Sequence, residues 1–95
     1  MFKRFFKALH CPTRWAIIRI IGDDEKGSRE ILGGLREAGE KLARSSLYYH
    51  ISELDEAGII EFAGYRETGG GAPEKVWRLK VKEVKINLLE DLEET

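Results

Sequence analysis

The stretch Ser45-Ser46-Leu47-Tyr48-Tyr49-His50-Ile51-Ser52-Glu53-Leu54-Asp55-Glu56-Ala57-Gly58-Ile59-Ile60 decides how this chain is read. With Leu47 as origin and about 100° per residue, Ile51 and Leu54 fall within roughly 40° of it, so the three form one aliphatic stripe. Ser45, Tyr49 and Ser52 land on the far side, with Tyr48 on the flank. The spacing predicts a helix over about residues 44–57 that buries the stripe. Gly58 suits the left-handed position that ends such a helix. A solvated helix face would ordinarily carry Lys and Glu; this one carries hydroxyls and phenols. Small groups that donate and accept suit the base edges and phosphates of a nucleic-acid groove.

Upstream, Phe2, Phe5, Phe6 and Leu9 recur at the spacing of one helical face and predict a first helix. Pro12 suits the opening position of a second helix that runs to Ile21. Trp15, Ile17, Ile18, Ile20 and Ile21 make that helix apolar nearly all round, the mark of a central, buried element. Residues Gly22 to Gly27 read as a solvated turn. Ser28 is expected to cap a third helix reaching about Ala38, with Glu30 favoured near its positive end. Gly33 and Gly34 weaken that helix unless they permit close packing. The link Ala38 to Arg44 then leads into the quoted helix.

Downstream, Ile60 to Arg66 reads as a strand with Ile60, Phe62 and Gly64 on one face. Residues Glu67 to Glu74 hold three consecutive glycines and a proline, and are expected to be loop. Lys75 to Val81 alternates as a second strand. The two strands make a hairpin ribbon with Arg66, Lys75 and Arg78 as its basic residues. Asn87-Leu88-Leu89-Glu90 has the spacing of a capping box opening a short helix with Leu88, Leu89 and Leu92 inward. Val84 and Ile86 are equally compatible with a prolonged second strand.

The chain is 95 residues long, enough for one small domain that buries about 60–65% of its unfolded surface. A single domain over 1–95 is expected, α+β in class but mainly α. The element order is that of a winged helix-turn-helix with a two-stranded β-wing and a short C-terminal helix. No apolar run approaches the roughly 20 residues needed to span a bilayer, and the charged N-terminus is unlike a secretory signal. The single cysteine excludes an intrachain disulfide, and the cytoplasm of a prokaryote is the expected location. Charged residues make up 35% of the chain and Gln is absent, a composition that leans thermophilic.

The residues also resemble a family. Pro12-Thr13-Arg14 followed by Ile17-Ile18, the Ser45 to Ile60 stretch, and Val76-Trp77-Arg78-Leu79 are similar to ArsR-type repressors of bacteria and archaea. Leu54-Asp55-Glu56-Ala57-Gly58-Ile59-Ile60 also resembles the helix ending shared with MarR- and PadR-type regulators. The resemblance covers roughly residues 2–80 and implies a homodimeric winged-helix transcriptional regulator, a repressor by type. It departs from the family pattern at Ala43, where a Ser cap is usual, at Tyr49, where Arg is common, and in the longer link before Arg44. Metal-sensing relatives carry thiolates on the third helix or His and acidic sets on the last one. Here neither segment holds Cys or His, and no metal or cofactor is expected.

Net charge is −1, but its distribution is uneven: residues 1–50 hold ten Lys or Arg against six Asp or Glu, and residues 51–95 hold six against eleven. Local field rather than the total governs the approach of a polyanion. The expected partner is double-stranded DNA. Lys41, Arg44, Ser45, Ser46, Tyr48, Tyr49 and Ser52 would meet it from the quoted helix and its approach, and Arg66, Lys75 and Arg78 from the wing. Phe2, Phe5, Phe6 and Leu9, with Leu88, Leu89 and Leu92, would form the homodimer seam. Cys11 at a helix start is read as a packed thiol, with a redox role left open. His50 reads as a packed or hydrogen-bonded histidine, and Trp15 and Trp77 as anchors. The serines lack a base and an orienting group, so no catalytic residue is assigned. No small-molecule effector can be named. The alternative is a winged helix used for protein contact within a transcription or repair complex.

Overall fold

Ile17 and Ile21 on the second helix have no solvent exposure, and the other elements are arranged about them. The computed structural model describes residues 2–67 and 69–90, the side chain of Phe2 excepted. The elements run α1 (Phe2–Leu9), α2 (Pro12–Ile21), β1 (Lys26–Gly27), α3 (Ser28–Glu37), α4 (Arg44–Glu56), β2 (Ile60–Arg66) and β3 (Glu74–Leu79). Ile31 and Leu35 from α3, Leu47, Ile51 and Leu54 from α4, and Ile59, Ile60 and Trp77 complete one core. Among the described residues no helix is long and apolar enough to cross a membrane.

The helices follow the sequence reading with local corrections. Among the described side chains of α1 Ala8 is the most buried; Phe5 and Leu9 pack at the edge of the core, and Phe6 is exposed. In α2 Trp15 is also exposed, although its indole N–H donates to the Leu9 carbonyl at 2.7 Å. The helix is therefore not buried all round, because among the described residues no element covers its Trp15 side. Helix α3 is unbroken across its two glycines. A Cβ on Gly34 would lie 3.0 Å from Ile20 Cδ1, whereas one on Gly33 would meet nothing within 4 Å. Gly34 is thus the site where α2 approaches α3.

Among the described residues the sheet has three antiparallel strands in the order β1-β3-β2, not the two expected. Lys26 and Gly27, read as part of a turn, pair with Trp77 and Val76. Two residues are too few to show a period-2 pattern, so this strand left no mark in the sequence. Strand β3 is consequently the middle strand, and Glu74, Val76 and Trp77 are all buried instead of alternating. Glu74, expected in the loop, opens that strand opposite Arg66. The register shifts between Phe62 and Gly64, leaving Ala63 as a bulge residue. Beyond β3 the Lys80 and Val81 amides donate to the Ile59 carbonyl, and residues 82–87 have no regular structure. Val84 and Ile86 therefore do not prolong the strand. Asn87 Oδ1 accepts from the amides of Leu89 and Glu90 at 3.0 and 3.2 Å, forming a capped turn. Leu92 lies outside the described residues, as does the body of the short helix expected there.

Candidate nucleic-acid interface

Helix α4 is set by its two ends. At its start Ala43 contributes no side-chain cap, so the first amides of the helix are left without one. At its end the Gly58 amide donates to the Asp55 carbonyl and the Ile59 amide to the Leu54 carbonyl, both at 3.0 Å. Gly58 has φ +80°, the left-handed geometry that this pair of bonds requires. Between the ends, Leu47, Ile51 and Leu54 are buried, and Arg44, Ser45, Ser46, Tyr48, Tyr49 and Ser52 are exposed. The approach to the helix is pinned as well. Arg36 Nη2 donates to the Leu42 carbonyl at 3.1 Å, and Thr13 Oγ1 donates to Glu40 Oε1 at 2.6 Å. Lys41 stands exposed in this link.

The outward side chains of α4 divide between two flanks. Arg44, Tyr48 and Ser52 line a groove of about 540 Å³ between α3, α4 and the ribbon, together with Lys75 and Tyr65. Tyr49 lines the opposite flank, near Phe6, Cys11 and Glu53. It is braced there by Arg14, whose guanidinium carbon lies 5.6 Å from the Tyr49 ring centre. Arg14 is almost wholly buried. Its Nη1 donates to the Ala8 carbonyl at 3.2 Å, and its Nε donates to His50 Nδ1 at 3.2 Å. His50 is held below the ordinary imidazole range, first by burial and then by the Arg14 charge.

Two of the three basic ribbon residues are already engaged. Arg66 forms an ion pair with Glu30 near the start of α3. Glu30 is held below the usual carboxylate range chiefly by the hydrogen bond it accepts from the Gly27 amide, with Arg66 adding to the effect. Arg78 stands opposite Glu61 near the foot of the ribbon, where Glu61 and Glu25 hold it at 2.8 and 3.3 Å. The ribbon is thus not basic-tipped through Arg78. Lys75 is exposed and makes no ion pair among the described residues.

Three positioning features were missed in the sequence. Glu74, at 7% exposure, places its Oε2 2.6 Å from the Arg29 amide and so caps α3 from the wing. A Cβ on Gly27 would fall on that carboxylate, so the glycine makes room for the cap. Ser28, read as the cap, lies inside the helix and instead joins it to the ribbon. Its Oγ donates to the Lys75 carbonyl and accepts from Trp77 Nε1, both at 3.3 Å. The one available signal was Arg14, one of two charges on an otherwise apolar helix. Among the described residues no group of three or more His, Cys, Asp or Glu is placed to hold a metal ion.

The fold is shared with solved regulators at low sequence identity. The Vibrio cholerae ferric uptake regulator, Fur, aligns with TM-score 0.61 and 19% identity, covering 88% of this chain and 65% of that one. A PadR family transcription regulator from Clostridium difficile R20291 aligns at 0.60 with 20% identity, covering 84% of this chain and 77% of that one. Bacillus subtilis PadR, solved in complex with operator DNA, aligns at 0.60 with 20% identity over 72% of this chain and 40% of that one. The chain thus spans under two thirds of the Fur chain and well under half of that PadR chain. No curated protein matches it by sequence. Residues 15–76, more than half of the chain, match the family model of the ribonuclease R winged-helix domain, and the chain belongs to that winged-helix family.

Proposed function

We propose that this chain, a single winged-helix domain over 1–95, is a sequence-specific DNA-binding transcriptional regulator acting as a homodimer. The observation that carries the reading is the outward face of α4: a helix seated by Leu47, Ile51 and Leu54 that presents Arg44, Ser45, Ser46, Tyr48 and Ser52 beside a ribbon. In this reading the N-terminal half of α4 enters the major groove, and Lys41 and Lys75 meet the phosphate backbone. Tyr49, braced by Arg14, contacts the duplex from the other flank. Arg66 and Arg78 orient the ribbon through their carboxylate partners. PadR from Bacillus subtilis, of similar fold, has been solved with operator DNA, which supports the same use here. A repressor of the ArsR or PadR type, in the cytoplasm and without catalytic activity, is the finer form of the proposal.

The homodimer would be built from the exposed apolar side chains outside the core, Phe6 on α1 and Leu88 and Leu89 in the C-terminal turn. The neutralisation of Arg66 and Arg78 favours a second reading, a module for protein contact anchored by exposed tyrosines. Selection of genomic fragments on the purified protein, followed by titration of selected and random duplexes over a range of salt, separates the two. Tighter binding of the selected duplex, with a log-log salt slope, supports the regulator. Equal affinity for both duplexes at every salt overturns it.

A further inference from the structure

We propose that the groove between α4 and the ribbon takes an unpaired nucleobase, so that the protein favours nucleic acid in which a single strand leaves the duplex. The inference rests on the reading of this face as a nucleic-acid interface and names the part of the substrate that enters the groove. Tyr48 on α4 and Tyr65 on β2 line it and are 53% and 66% exposed. Leu32, Leu47, Ile51 and Trp77 supply apolar lining deeper in. A planar base has an apolar face that stacks on aromatic rings irrespective of its identity. Ser52 and Asp55 are exposed on the same wall, and their oxygens suit the polar edge of a base. Arg44 and Lys75 bring positive charge to the strand that carries the base.

The charge distribution favours a stacked strand over a wing laid on an intact backbone. With Arg66 and Arg78 paired to carboxylates, the ribbon has Lys75 as its unpaired contribution to phosphate binding among the described residues. Its aromatic content is high by contrast: the Phe62 ring lies edge-on to both Tyr65 and Trp77, at 5.1 and 5.9 Å between centres. The groove is also held in shape. Glu74 ties the ribbon to the start of α3, and Ser28 bridges Lys75 and Trp77. A volume of about 540 Å³ lies within the usual range of roughly 300–1,000 Å³ for pre-formed ligand sites.

The test titrates the full chain with one fluorescent duplex in three forms: blunt, with a five-nucleotide overhang, and with an abasic overhang of equal phosphate count. Separate arms use deoxyribose and ribose overhangs, to distinguish the two sources of the same base chemistry. The overhang in at least one sugar is expected to bind about tenfold more tightly than the blunt or abasic form, the order of one base–aromatic stack. Tyr48→Ala and Tyr65→Ala are each expected to remove most of that preference while leaving the helical circular dichroism unchanged, since both side chains are exposed. Blunt and overhanging duplexes bound alike, or an abasic overhang as good as a normal one, overturns this inference and leaves duplex recognition standing. Failure to bind any nucleic acid overturns both.

Discussion

A buried carboxylate persists only where donors meet it, and Glu74 meets the Arg29 amide at the start of α3, just beyond the Gly27 amide that donates to Glu30. Removing that acceptor by Glu74→Ala is expected to cost about 1–2 kcal/mol, the range for losing a helix cap. Glu74→Gln keeps an acceptor oxygen, so its loss is expected to stay below about 1 kcal/mol. Gly27→Ala drives a methyl onto the same carboxylate and is expected to cost about 1–3 kcal/mol, as overpacking does. Urea midpoints at constant slope measure all three; a Glu74→Ala midpoint equal to that of the parent would deny the cap. His50 carries a second prediction at this scale. Because burial and Arg14 depress its folded pKa, the unfolded chain takes the proton first as pH falls below its ordinary 6.5. Its contribution is therefore complete above that pH and is lost as pH falls through the folded value. His50→Gln offers Arg14 an oxygen that does not titrate there, so its midpoint should depend less on pH between 7.5 and 5. Identical pH profiles for the two proteins would count against the Arg14–His50 contact as the source.

Among the elements, the two adjacent glycines of α3 show where sequence reasoning reaches and where it stops. Their cost to the helix is legible from composition, but their difference is not, since only tertiary packing sets Ile20 over Gly34. Gly33→Ala is accordingly expected to stabilise the protein by up to about 1 kcal/mol, the helix propensity gain with no contact to disturb. Gly34→Ala should return less than half of that gain or none, because the added methyl meets Ile20. Thermal midpoints of the two variants decide it, and equal gains would mean that Ile20 yields freely. The same contrast runs along the chain. Helix α4 and strand β2 lie within a residue of expectation because each has a stripe or alternation long enough to register, and Gly58 marks the junction chemically. Strand β1 is too short for any period. Glu74 passes for a loop residue because nothing in its polarity announces burial. Tyr48 and Tyr49 are both outward on a helical projection, yet which of them faces the ribbon depends on where the ribbon lies. The groove is not legible in the sequence for that reason, although Tyr48, Ser52 and Lys75 are each legible there as nucleic-acid-facing residues.

For the whole molecule the governing quantity is the placement of charge, since a net charge of −1 gives little general attraction to a polyanion. The last nine residues carry four acids and no base, and without those acids the chain would stand at +3. If they face away from bound DNA, they act only through long-range repulsion, which salt screens over a Debye length of roughly 10 Å at 0.1 M. Replacing all four by their amides (E90Q, D91N, E93Q and E94Q) is expected to strengthen binding of every duplex at low salt. The gain should shrink as salt rises towards about 1 M, where the screening length is roughly 3 Å. Lys75→Ala is expected to do the reverse, weakening selected and random duplexes alike and lowering the log-log salt slope by about one. The pair of variants moves the salt slope in opposite directions: the amides steepen it, because their gain is confined to low salt, whereas Lys75→Ala flattens it by one lost phosphate contact. A gain that persists at high salt would instead place one of those carboxylates against the duplex itself.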